Sequence, residues 1–152
     1  MNIFLDTEFN GFGGDLISIG LVADDDQVFY GVLPCPAPIS YVVANVMPVL
    51  GAVPLATETS FARGRLTNKL ETFLRRYKSG FNIVADWPED LAHFLGALHR
   101  RPGYMIEVPD FTMQLVRSLP PTACVSMVPH NALQDARALR ACYYEANPER
   151  KP

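Results

Sequence analysis

The chain of 152 residues is 49% hydrophobic and 19% charged, which suffices for one domain with a buried core and excludes a disordered or collagen-like chain. With 13 Lys and Arg against 16 Asp and Glu, the net charge of -3 has the wrong sign for a protein that grips long duplex nucleic acid through many phosphates. No apolar run reaches the roughly 20 residues that span a bilayer, and Asp6 interrupts the first apolar stretch before it could act as a signal sequence.

Residues 2–9, NIFLDTEF, alternate with period two, so Phe4, Asp6 and Glu8 share one face of a strand and Ile3, Leu5, Thr7 and Phe9 the other. After the glycine-rich NGFGGD come the β-rich runs LISIGLVA and QVFYGVLP, separated by Asp24, Asp25 and Asp26, and the opening reads as a three-stranded antiparallel meander. Prolines crowd the stretch from Pro34 to Ser60, where a short helix over Tyr41 to Val46 is expected to end at Pro48. Between Pro34 and Pro54, Val42, Val43, Val46, Met47, Val49 and Leu50 supply apolar surface for either a core or a subunit interface.

From Phe61 onward, Leu66, Leu70, Phe73, Leu74 and Tyr77 recur at helical spacing among Arg63, Arg65, Lys69, Arg75, Arg76 and Lys78, until Ser79-Gly80 stops the pattern. FNIVADW is a buried-strand pattern, followed by a helix from Pro88 that turns Leu91, Leu95 and Leu98 inward and also carries His93 and His99. A strand over Tyr104 to Val108, a short helix from Phe111 to Leu119 and a last helix from Asn131 to Ala146 complete the chain, with a frayed tail from about residue 147. The order of elements gives a single domain over residues 1–152 of α/β layer architecture, a mixed sheet flanked by helices. Cys35, Cys124 and Cys142 are odd in number and lack C-x-x-C spacing, which fits a reducing, cytoplasmic compartment and argues against disulfides or a thiolate metal site.

Three segments carry chemistry. Asp6 and Glu8, at i and i+2 on a strand, point the same way, and their mutual repulsion on a dry face is relieved by a hard divalent cation. The plain alternative is an edge strand with solvated acids. In ADWPED, Asp90 falls in the first turn of a helix that leaves a buried strand, from where it can reach a strand-end crevice, although Asp86 and Glu89 also have capping-box spacing around Pro88. In PHNALQD, His130 and Asp135 converge only if the helix begins near His130, as Pro129 and Asn131 suggest. Otherwise they are a surface histidine and an acid that favours a helix N-terminus.

The ordered occurrence of FLDTEF, ADWPED and HNALQD resembles the DEDDh 3′–5′ exonucleases, the group that includes RNase T, oligoribonuclease and proofreading subunits. The likeness spans most of the chain, and its short length and DTEF opening look most similar to the small RNase AS-type exoribonucleases. The resemblance implies an RNase H-like fold with a mixed five-stranded sheet, and two divalent cations, Mg²⁺ or Mn²⁺, held by Asp6, Glu8, Asp90 and Asp135. It further implies His130 as general base and a single-stranded 3′ end, RNA by preference, as substrate. Asp86 stands where the family usually has asparagine, which leaves it as an alternate ligand or a neighbour of the ligands.

Setting the four proposed ligands aside leaves 12 acids against 13 basic residues, so the remaining surface does not repel RNA. Phe9, Phe12 and Trp87 beside the motifs are candidates to stack on terminal bases, and His93 and His99 read as structural or surface residues. A homodimer is implied by the resemblance. The competing readings are a DNA-directed proofreading or repair exonuclease and a non-catalytic nucleic-acid-binding module.

Overall fold

The alternation of the first eight residues produces the strand around which the rest assembles. In the computed structural model, which describes residues 1–52 and 59–152, β1 (Asn2–Phe9) turns Ile3 and Leu5 to one face of a sheet and Phe4 and Asp6 to the other. It pairs antiparallel with β2 (Leu16–Ala23), which pairs antiparallel with β3 (Val28–Val32), so the expected meander is present. Then follow α1 (Ser40–Asn45), a 3₁₀ turn over Met47–Val49, α2 (Arg63–Leu74), β4 (Phe81–Ala85) and α3 (Pro88–Ala97). A small hairpin of β5 (His99–Arg101) and β6 (Tyr104–Met105), the strand β7 (Phe111–Leu115) and α4 (Ala132–Ala146) complete the order.

The main sheet runs β3-β2-β1-β4-β7, with β4 parallel to both β1 and β7. On one face Ile3, Leu5, Ile19, Leu21 and Ile83 meet Leu66, Leu70, Phe73 and Leu74 of α2 and Phe94 and Ala97 of α3. On the other face Phe4 and Val84 meet Leu139 and Tyr143 of α4, and Val22 and Tyr30 meet its Ala132, Leu133 and Ala136. This is a mixed five-stranded sheet flanked by helices, consistent with an RNase H-like fold. No helix among the described residues is long and apolar enough to cross a membrane.

Several expectations need correction. Phe111 to Leu119 is not a helix: Phe111–Leu115 is the fifth strand, paired residue by residue with β4, and Phe111 stacks on Phe81 at 5.4 Å. A free ladder beside β4 and the β preference of the aromatic and threonine at its start outweigh a weak helical spacing. The strand expected over Tyr104 to Val108 shrinks to two residues in the separate hairpin, which also holds His99, expected on the helix. In α3 the helix turns Phe94 fully inward and leaves Leu95 38% exposed.

The apolar stretch before Pro54 divides. Val42 and Val46 pack on Ile17 as core, whereas Val43 and Met47 face outward, and Pro54 itself lies outside the described residues. Residues Pro148–Arg150 form a 3₁₀ turn, with Arg150 donating to the Tyr143 hydroxyl.

Candidate active site

Because β1 and β4 run parallel side by side, their C-terminal ends open onto the same crevice, the place where open α/β sheets carry their ligands. Asp6 and Glu8 lie on the last half of β1, and Asp86 immediately follows β4. Pro88 starts α3 and places Asp90 in its first turn. Asn131 caps α4, its side chain accepting from the Gln134 N–H at 3.2 Å, which places Asp135 in that first turn. The same asparagine donates to the Val49 carbonyl and the Tyr30 hydroxyl, tying the start of α4 to the sheet.

The carboxylates converge in two overlapping groups. Oxygens of Asp6, Asp86 and Asp90 lie within 4.8 Å of one another, and so do those of Asp6, Glu8 and Asp135, so Asp6 belongs to both. Asp90 is oriented by Thr7, whose hydroxyl and N–H both donate to one of its oxygens, at 2.6 and 3.1 Å. Asp6 Oδ2 and Asp135 Oδ1 are buried with no hydrogen-bond partner among the described residues.

Burial, then the neighbouring charges of Asp90, Glu8, Asp135 and Asp86, push the Asp6 carboxyl well above the ordinary carboxylate range. Burial and the nearby Asp135 and Asp90 push Glu8 up to about 8. Burial likewise raises Asp90 to about 7 against the opposing hydrogen bond from Thr7, and it raises Asp86 and Asp135. Buried carboxylates with unpaired oxygens and mutually raised proton affinity are compensated either by protons or by cations, and an all-oxygen donor set suits hard divalent ions. The residues present therefore fit divalent metal binding.

His130 sits beside this cluster. Its backbone adopts φ of +63°, the left-handed region rarely occupied by non-glycine residues, and its N–H donates to Asp135 Oδ2 at 3.0 Å. Its Nδ1 is 4.0 Å from Glu8 Oε1. The convergence of His130 and Asp135 thus arises as the sequence required, through a helix that starts after the histidine.

These groups line a cavity of about 790 Å³. At its rim Phe12 lies 6.3 Å from Phe9 and 6.2 Å from Trp87, and the Arg117 guanidinium covers the Trp87 ring at 4.4 Å. Phe12 is 81% exposed, an aromatic with no core to fill. His93 stacks behind Phe9 at 4.9 Å, and burial lowers its pKa.

The structure therefore brings Asp6, Glu8, Asp86, Asp90, His130, Asp135, Phe9, Phe12 and Trp87 to one cavity. Sequence reasoning missed Thr7, Tyr41 and Arg117, which line the same cavity. Thr7 carried a signal, standing between the two acids of D-T-E, but its strand parity points it to the opposite face, where only the fold shows Asp90 waiting.

No family model matches the chain. Two proteins named 3′–5′ exoribonuclease from Mycobacterium tuberculosis, one from strain CDC 1551 and one from strain H37Rv, are each 34% identical to it over 151 residues, covering 90% of this chain and 88% of the relative. With likeness of that extent joined to this cavity, the chain belongs to the family of 3′–5′ exoribonucleases.

Proposed function

We propose that this protein is a metal-dependent 3′–5′ exoribonuclease of DEDDh type, similar to the small RNase AS-type enzymes, that removes nucleoside 5′-monophosphates from single-stranded RNA. The observation that supports this best is the convergence of four separated carboxylates, with His130 beside them, at the end of an open cavity. Asp6, Glu8, Asp90 and Asp135 would hold two divalent cations, Mg²⁺ or Mn²⁺, which when bound supply charge neutralisation and Lewis acidity for in-line phosphodiester hydrolysis.

Water adds across the terminal P–O3′ bond: its oxygen goes to phosphorus, His130 takes the water's proton, and the O3′ atom leaves with the shortened chain, taking up a proton from solvent water. Asp90 is the principal middle ligand, because Thr7 fixes one of its oxygens and so orients the other, while Asp86 reinforces the negative field beside it. The partially exposed rim matches a substrate of a few unpaired nucleotides, and free Cys35, Cys124 and Cys142 fit a cytoplasmic setting. The homodimer implied by the resemblance would bury Val43 and Met47, both exposed.

The test is a time course on 5′-labelled single-stranded RNA with Mg²⁺ or Mn²⁺, resolved at single nucleotides, with wild type beside Asp135→Ala. A descending ladder that the substitution abolishes is expected. Degradation of DNA in place of RNA would shift the reading to a proofreading or repair exonuclease, and no product from either would leave a binding module.

Rim contacts give a separable expectation. Base stacking on an aromatic is worth about 1–2 kcal/mol, so Phe12→Ala should raise KM for RNA roughly 5- to 30-fold. Because Phe12 is exposed, kcat and the melting temperature should stay close to wild type. Steady-state kinetics on a short oligoribonucleotide decides it, and an unchanged KM would remove Phe12 from the binding surface.

A further inference from the structure

We infer that Tyr41 is a positioning residue for His130, holding its imidazole in the orientation and tautomer that leave Nδ1 free to accept a proton; this rests on the reading of His130 as the base. The Tyr41 hydroxyl lies 3.2 Å from His130 Nε2, and the two rings meet edge-on at 5.7 Å and 87°. Among the described residues that hydroxyl is the only hydrogen-bond partner of the imidazole, since the 4.0 Å between Nδ1 and Glu8 Oε1 exceeds hydrogen-bond reach. A neutral imidazole carries one N–H and one lone pair. A tyrosine hydroxyl accepts as readily as it donates; in the proposed arrangement Nε2–H is the donor to Tyr41 Oη, which leaves the lone pair on Nδ1, the nitrogen 4.0 Å from Glu8 Oε1, in a bond that persists once the ring is protonated.

Tyr41 is placed well for this. It sits on α1, which is anchored beneath by Val42 and Val46 against Ile17. The entry to α1 is fixed by Asn10, whose side chain donates to the Ala37 carbonyl at 3.0 Å and accepts from the Ile39 N–H at 2.9 Å. Asn45 closes the other end by donating to the Tyr41 carbonyl at 2.9 Å. The backbone is held at both ends while the Tyr41 residue stays 56% exposed, so its hydroxyl contributes a directed hydrogen bond and little to the core. On the other side, the His130 backbone is fixed through Asp135, which leaves the ring's rotation to Tyr41.

The experiment is a double-mutant cycle of wild type, Tyr41→Phe, His130→Ala and the double variant, reading kcat, KM and melting temperature on single-stranded RNA. His130→Ala should lower kcat by about 10²- to 10⁴-fold. Tyr41→Phe should lower kcat about tenfold, with KM within about twofold and the melting temperature unchanged. In the His130→Ala background, Tyr41→Phe should add less than about twofold, because a group that acts through the imidazole has nothing left to position.

Long-range proton–nitrogen NMR of the His130 ring should show the proton on Nε2 in the wild type and a mixture of tautomers in Tyr41→Phe. Wild-type kcat in Tyr41→Phe, losses that multiply across the cycle, or a rise in KM alone would each overturn the assignment, the last by making Tyr41 a substrate contact. If wild type fails to shorten RNA, the functional reading falls, and the NMR comparison still decides whether Tyr41 sets the tautomer.

Discussion

Asp6→Asn should abolish turnover while raising the melting temperature of the metal-free protein. Asp6 is 9% exposed, belongs to both carboxylate groups, and has a buried oxygen with no donor among the described residues. Carboxyls whose folded-state pKa exceeds the unfolded value keep protons that the unfolded chain releases. Stability is therefore full at low pH and is lost as pH rises through the folded pKa. For Glu8, raised from 4.5 to about 8, the window runs across that interval, and the displacement corresponds to about 5 kcal/mol. Asp90, raised to about 7, adds in the same direction.

Replacing one acid by its neutral amide relieves the repulsion on the others. A gain of about 1–2 kcal/mol at pH 8 is expected, roughly 2–8 °C for a chain of this size. Melting curves from pH 5 to 8.5 in EDTA should fall for wild type and flatten for Asp6→Asn. Mg²⁺ or Mn²⁺ should restore wild-type stability at the upper end and do little for the variant. Turnover should drop by about 10³-fold or more, since the proposed shared metal ligand is lost. A lower metal-free melting temperature for Asp6→Asn at pH 8 would show that the cluster is not under electrostatic strain.

The legible part of this site was the part written in local periodicity. Alternation put Asp6 and Glu8 on one strand face, Pro88 started the helix that bears Asp90, and Asn131 marked the cap that lets His130 fold back toward Asp135. What joins these three segments is tertiary: β4 settles parallel beside β1, and α4 crosses the sheet with its first turn over β2. Neither follows from spacing within a segment.

The misread elements fail for the same reason. FTMQL is too short for its periodicity to separate strand from helix, and the open edge of β4 decides it. Leu95 and Phe94 differ by one helical step, and the facing Phe111 ring, 5.8 Å from Phe94, selects the latter. Tyr41 was invisible as a site residue because its partner lies 89 positions away on another element.

Gly20→Ala should cost both stability and activity, because the glycine sets how closely α4 approaches the sheet. In LISIGLVA it reads as a weak residue within a strand, but it pairs with Asp6 across the β1–β2 ladder. A Cβ added there would lie 2.3 Å from the Ala132 carbonyl oxygen, 2.4 Å from its carbon and 2.5 Å from the Leu133 nitrogen. All three are backbone atoms of the first turn of α4, so no rotamer change relieves the overlap, and the helix start must retreat by about 1 Å. That turn carries Asp135, and His130 and Asn131 lead into it.

Overpacking of this kind costs about 1–3 kcal/mol. Displacing the proposed ligand Asp135 and the proposed base His130 together by about 1 Å should lower kcat about 10²-fold. Gly31→Ala is the matched control: its Cβ would meet Leu66 Cδ1 at 2.8 Å, the movable end of a side chain on the sheet face opposite α4. It should lose at most about 1 kcal/mol and keep kcat within about twofold. Melting temperatures, RNA ladders and Mn²⁺ titration of the two variants make the comparison. Wild-type kcat and Mn²⁺ affinity in Gly20→Ala would mean that Asp135 keeps its place without the close approach of α4 to β2, and that the geometry of the site is set elsewhere.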